Sequence, residues 1–318
     1  MDLLGTDSPS TTRFEKKREL DMATQHPPFS GFWPAALTAF DDDGEVCATR
    51  QEKLVAHLIE SGASGLFICG STGEGVSLSV AERQRVAEIT IGAAGGQIPV
   101  MVHVGATSTR DATALAKHAA QVGAAAISSV SPIYYPFGPD VMFQFYHDIA
   151  TAGGVPFYSY VFLGRGTDGC RIDQFIEGLL KIPHATGVKY TSRDMYELTQ
   201  LKGLSRGKLN VFSGSDECYL AAKMQGADGA VGSYYNAFLP QWEKIRVTAE
   251  AGQWEAARDL MIKAVEIVWT FLPYNLAGLK HVMRVKGIET GPTRRPMPAL
   301  PDGAAAEIER KLKSLELH

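Results

Sequence analysis

A lysine stands where a charge is costly. Lys189 lies inside the apolar segment "GVKYTSRD", which begins at Gly187. Taking an ammonium out of water is expensive, so burial favours the neutral amine, and a neutral amine is a nucleophile toward a carbonyl. A strand-end lysine can also run its stem along the protein and keep its head in water. On position alone that plainer reading is the commoner one. Other apolar runs end in polar residues too: "GSTGEG" at 70–75, "SPIYYPFG" at 131–138, "YSYVFLGRG" at 158–166, "FSGSDE" at 212–217 and "GSYYN" at 232–236. Tyr158 and Ser71 carry hydroxyls that donate and accept, as a proton relay requires. Taken singly, each is more often a core tyrosine or a turn serine. "GSTGEG" offers consecutive backbone N–H groups and two hydroxyls, suited to a carboxylate. It is not a phosphate loop, because no Gly-Lys-Ser/Thr follows. Asp216 and Glu217 can grip a polyol or simply favour the start of the next helix. Tyr134 and Tyr135 can equally be packing residues, and His103 reads as a satisfied core histidine.

The elements that must position these residues form a rhythm. Buried-strand patterns occur at Trp33–Phe40, Gly65–Cys69, Pro99–Val104, Ala125–Val130, Pro156–Val161, Gly187–Thr191, Leu209–Ser213 and Ala230–Ser233, with amphipathic patterns between them. "SGASGLFICG" at 61, "VGAAAISSV" at 122 and "QGADGAVGS" at 225 repeat one grammar: a helix ends at glycine, small residues follow, and an apolar strand begins. Such units predict an α/β fold, a (β/α)8 TIM barrel over residues 30–252. A doubly wound sheet is the alternative, but the first strand has no GxGxxG after it. Residues 253–318 read as a C-terminal helical annex, and the polar stretch 1–29 as a loose extension without a secretory signal. In a barrel, residues at the C-terminal ends of strands do the chemistry, which is where the polar segments above fall.

Composition narrows the classes. The chain has 318 residues, 45% hydrophobic and 21% charged, with 31 basic and 35 acidic side chains and a net charge of −4. No basic stripe suggests nucleic acid, and no apolar run approaches the roughly 20 residues of a membrane helix. Cys47, Cys69, Cys170 and Cys218 are far apart, without CxxC spacing, and no HExxH occurs. Reduced thiols, no metal and a cytoplasmic location are the expectation.

Together the motifs resemble those of the pyruvate-dependent class I aldolases, the family of N-acetylneuraminate lyase and dihydrodipicolinate synthase. The resemblance runs from about Phe32 to Pro296 and rests on "GSTGE", "IYYPF", "GVKYTSRDMYEL", "SGSDE" and "GADGAVGSYYN", in that family's order. It implies that Lys189 forms an imine with pyruvate or a keto-acid substrate, with no separate cofactor. Tyr158 would shuttle the proton. Ser71 and Thr72 would bind the carboxylate, with Ser71 linking Tyr158 to a Tyr134 from a neighbouring subunit of a homotetramer. Thr191, Gly214, Asp216, Glu217 and Ser233 would hold a sugar's hydroxyl tail.

Two departures stand out. Tyr158-Ser159-Tyr160-Val161 replaces the family's Tyr-Asn-Ile/Val-Pro. Synthases place an arginine five residues after that tyrosine; counted from Tyr158 the position is Leu163, with Arg165 two further on. The lyase branch is therefore the expectation: cleavage of a 2-keto-3-deoxy sugar acid such as N-acetylneuraminate. Dihydrodipicolinate synthase is the alternative, and a non-catalytic relative is disfavoured by the intact Lys189, Tyr158 and Ser71.

Overall fold

The computed structural model describes residues 29–162 and 169–317. Most of the expected N-terminal extension, 1–28, and the segment 163–168 lie outside the described residues. Eight strands follow one another: β1 (Gly31–Pro34), β2 (Leu66–Ile68), β3 (Val100–His103), β4 (Ala126–Val130), β5 (Phe157–Phe162), β6 (Ala185–Thr191), β7 (Asn210–Ser213) and β8 (Gly229–Gly232). Each falls within or across an expected run. They form one sheet in the order β1-β8-β7-β6-β5-β4-β3-β2, all parallel. Its two ends meet through an Ala35–Phe67 bridge, with the Ser64 N–H donating to Phe32 O and the Ala36 N–H to Phe67 O, both at 2.9 Å. The sheet thus closes on itself as a barrel.

Helices cover the outside: α1 (Ala48–Glu60), α2 (Val80–Ala94), α3 (Thr109–Gln121), α4 (Pro139–Gly153), α5 (Ile172–Leu179), α6 (Met195–Leu204), α7 (Tyr219–Met224) and α8 (Tyr235–Glu250). The repeated turn is real. Gly62, Gly123 and Gly226 follow α1, α3 and α7 with φ of 91°, 92° and 89°. That left-handed backbone costs a residue with a β-carbon about 1 kcal/mol, so glycine marks each return from helix to strand.

The first strand is shorter than its apolar run, which extends to Phe40. Past Pro34 the backbone is satisfied mainly by side-chain amides instead of a neighbouring strand. Asn236 accepts from the Leu37 N–H at 3.2 Å and donates to Ala35 O at 2.8 Å, and Gln51 accepts from the Ala39 N–H at 2.8 Å. Buried backbone groups need such partners wherever the ladder stops.

Alternation along the strands sorts residues into two cores. Trp33, Phe67, Met101, Ala126, Tyr158, Tyr160, Phe212 and Val231 fill the barrel, while the intervening residues pack beneath the helices. Tyr158 and Tyr160 therefore share the inward face of β5, one layer apart.

The annex comprises α9 (Trp254–Phe271), α10 (Asn275–Val285) and α11 (Ala304–Ser314). Together α9 and α10 make the one described stretch that is long and apolar enough to cross a membrane, with a hydropathy of 1.2. Composition alone had suggested no such run. Here it is broken by a 3-10 turn at Leu272–Tyr274, and Ala257, Ala264 and Phe271 are buried on its inner face. Lys280 of α10 forms a buried ion pair with Glu74, Nζ to Oε1 2.9 Å. Deleting one partner of such a pair costs about 3–5 kcal/mol.

Candidate active site

Strand β6 brings Lys189 to the C-terminal mouth of the barrel, facing inward. Its side chain is buried, and Nζ lies 4.0 Å from the ring centres of both Phe67 and Tyr160. Burial pulls its pKa from the usual lysine range down to about 7, against the opposing pull of the Asp216 carboxylate. The solvent-reaching alternative is thereby set aside: the amine is enclosed by aromatic faces and substantially neutral near neutrality.

Tyr160 is the hydroxyl that shares this layer. The β5–β6 register pairs it directly with Lys189. Burial pushes its pKa up to about 12, while the Ser71 and Thr191 hydroxyls hold it down by hydrogen bonding toward the phenol oxygen. The Thr191 contact falls short of a well-formed bond, leaving Oγ1 with capacity for a ligand. Gly214 leaves the room that Thr191 occupies, since a β-carbon there would fall 1.7 Å from Thr191 Oγ1.

Tyr158 does not join the group, which corrects the expectation that it is the proton shuttle. It pairs with Gly187, one layer below, and its hydroxyl donates to Asn210 Oδ1 at 2.9 Å. Its ring packs beside Phe29 and Phe212. Burial, reinforced by Asp228, drives its pKa far above the ordinary tyrosine value. Ser71 accordingly meets Tyr160, not Tyr158. The reasoning that used Leu163 moves with it: five residues after Tyr160 stands Arg165. Both positions lie outside the described residues.

The loop after β2 and the end of β8 converge on the same mouth. Thr72 Oγ1 and Ser233 Oγ are 2.6 Å apart. Asp216 is buried beneath Gly232, where a β-carbon would fall 2.1 Å from its Oδ1. Its carboxylate accepts from the Ser233 and Tyr234 N–H groups at 3.2 and 3.1 Å. Burial and the neighbouring Glu217 nevertheless push its pKa up to about 7. Asp216 thus supports the β8–α8 corner as well as facing Lys189 electrostatically. Glu217 is more open and meets Arg193 at 3.4 Å. Tyr134 stands apart on the 131–138 loop, 79% exposed, with φ of 84° and its ring against Tyr135.

His103, on β3, fits the bland expectation. The Val130 N–H donates to its Nε2 at 3.3 Å, and it hydrogen-bonds the Cys69 backbone. Burial, Arg83 and Lys189 hold its pKa well below the ordinary value, so it is neutral. Sequence reasoning missed Tyr160 and Phe67 as neighbours of the amine. The period-two alternation marked Tyr160 as inward-facing, and the layer needed the register.

The chain matches the model of the dihydrodipicolinate synthetase family over residues 28–315. It is 33% identical to an N-acetylneuraminate lyase of Rhizobium meliloti over 267 residues, 84% of this chain and 88% of the relative. Among solved structures, Proteus mirabilis N-acetylneuraminate lyase superimposes with a TM-score of 0.86 at 31% identity, covering 92% of this chain and all of that one (100%). A Ruminococcus gnavus sialic acid aldolase, solved as its catalytic lysine mutant, also gives 0.86, at 26% identity and 90% and 95% coverage. With a family match across almost the whole chain, a closed eight-stranded barrel and a buried lysine at its mouth, this chain belongs to the dihydrodipicolinate synthetase family.

Proposed function

We propose that this protein is a class I aldolase, a carbon–carbon lyase that cleaves a 2-keto-3-deoxy sugar acid, N-acetylneuraminate first among the candidates, to pyruvate and an aldose. One observation carries the reading: Lys189 Nζ is buried between two aromatic rings at the barrel mouth, with its pKa lowered to about 7. The names of the relatives above point the same way.

In this reading the neutral amine attacks the substrate ketone and water leaves, giving an iminium. That cation is a stronger electron sink than the ketone, so the C3–C4 bond breaks to an enamine and an aldehyde. The C4 hydroxyl must lose its proton in that step. Tyr160, with its pKa near 12, acts as a relay and not as a standing base. It takes the C4 proton while passing its own to the imine's carboxylate or to Ser71. Protonation of the enamine at C3 and hydrolysis then release pyruvate and restore Lys189. Ser71 and Thr72 hold the carboxylate; Thr191, Gly214, Asp216, Glu217 and Ser233 face the sugar tail. No step calls for a metal or a separate cofactor. Tyr134, exposed in one protomer, completes the site of a neighbouring subunit in a homotetramer. The cysteine spacing suits a reducing cytoplasm.

A second reading is condensation of pyruvate with a carboxylate-bearing aldehyde, as in dihydrodipicolinate synthase. It draws on Arg165, five residues after Tyr160, because a guanidinium pairs bidentately with a carboxylate. Pyruvate with borohydride should add a stable mass at Lys189, lost in Lys189→Ala. An unlabelled wild-type protein would refute both readings. Between them, kcat/KM for N-acetylneuraminate cleavage against aspartate-semialdehyde condensation decides.

A further inference from the structure

The loop that carries Ser71 and Thr72 also carries Glu74, and Glu74 turns away from the barrel mouth. It is 1% exposed and has φ of 55°, a backbone conformation that a residue with a side chain seldom adopts without reason. Its two carboxylate oxygens are both held from the C-terminal annex. Lys280 Nζ of α10 lies 2.9 Å from Oε1, and the Arg294 N–H donates to Oε2 at 2.7 Å. Lys280 spends its other donors on Thr38 O at 3.0 Å and Pro292 O at 2.8 Å. Thr38 in turn donates from Oγ1 to Gly73 O at 2.6 Å. Lys280, Glu74, Gly73 and Thr38 therefore form a closed ring of contacts around the base of the loop.

We propose that Lys280 is a positioning residue that sets the loop through Glu74 and thereby governs affinity for the keto-acid carboxylate. This rests on the reading that Ser71 and Thr72 bind that carboxylate. The physical argument is one of direction. An ammonium offers three diverging donors, and here they go to the loop, to the end of the first barrel strand and to the annex. No neutral side chain supplies three, and a guanidinium is planar and cannot diverge in the same way. Without Lys280, Glu74 keeps only the Arg294 amide, and a carboxylate buried with one partner rearranges toward water. Its backbone moves with it, and Ser71 and Thr72 are two and three residues away in the chain.

The test compares Lys280→Met with the double variant Lys280→Met/Glu74→Gln, which removes both buried charges. Cyanoborohydride trapping at Lys189 is followed as a function of pyruvate concentration, beside a thermal unfolding scan. In Lys280→Met, half-saturating pyruvate should rise by about tenfold, the effect of a small misplacement of a binding group. The trapping rate at saturation should stay within about threefold, since the amine itself is untouched. In the double variant the unfolding midpoint should recover while half-saturation stays raised. If Lys280→Met does not fold, the double variant alone decides. Half-saturation within about twofold of the parent in a folded variant, or its recovery in step with the midpoint, would overturn the proposal. Wild-type protein that cannot be trapped at all would instead remove the aldolase reading beneath it.

Discussion

Two tyrosines on one strand, two residues apart and facing the same way, live in different chemistries. At the lower layer Tyr158 is sealed by Phe29 and Phe212 and spends its hydroxyl on Asn210. At the upper layer Tyr160 lies against Lys189 and faces the Ser71 and Thr191 hydroxyls. Both are buried and both have raised pKa values. The difference is in the neighbours: one hydroxyl is committed to a structural amide, the other to groups that can pass a proton onward. Height in the barrel, set by strand register, assigns the role; the residue type does not.

Three substitutions press on that contrast. Tyr160→Phe removes the relay and should lower kcat for cleavage by about 10²–10⁴-fold, the usual worth of a positioned proton-transfer group. Steady-state kinetics on a keto-deoxy sugar acid checks it, and a loss smaller than that of Tyr158→Phe would invert the two layers. Asp216→Asn acts on the amine from the side. Imine formation needs neutral Lys189, so its rate climbs with pH through the lysine's pKa near 7. Asp216 raises that pKa, so deleting the charge should move the climb to lower pH, by about one unit. A shift to higher pH in the trapping profile would contradict the electrostatic pairing. The smallest effect belongs to Tyr158→Phe. It should leave kcat within about threefold and lower stability by about 1 kcal/mol, because Asn210 Oδ1 loses its buried donor. Urea unfolding read beside kinetics separates the two consequences.

Much of the barrel was legible because its signals are local. Glycines that end helices, and apolar runs too short for helices, repeat along the chain and need no partner to be read. Lys189 was legible for a related reason: a charge within an apolar run is conspicuous. Tyr160 was not, because alternation places it and Tyr158 on one face and says nothing about layer. The layer depends on which residue of β6 lies opposite, and the pairing shifts by one residue between Phe157 and Tyr158. A motif aligned by its first tyrosine thus landed one layer too low, and the inference from Leu163 fell with it. The grip of Lys280 on Glu74 was equally hidden, since it joins opposite ends of the chain and neither residue stands out from its neighbours.

The meeting of the first and second strands has a consequence in time. Elsewhere the barrel is held by continuous ladders, but from Ala35 to Ala39 several backbone groups depend on the amides of Asn236 and Gln51. A side-chain partner swings away by rotating a few bonds, whereas a ladder must part along its length. Opening of this kind is the low-energy end of the range that proteins sample. In deuterated solvent the Leu37 and Ala39 amides should therefore exchange earlier than those in the middle of β5 and β6. The closed barrel would then behave as a ring with a clasp, slow to unwind everywhere except where its first strand was fastened last.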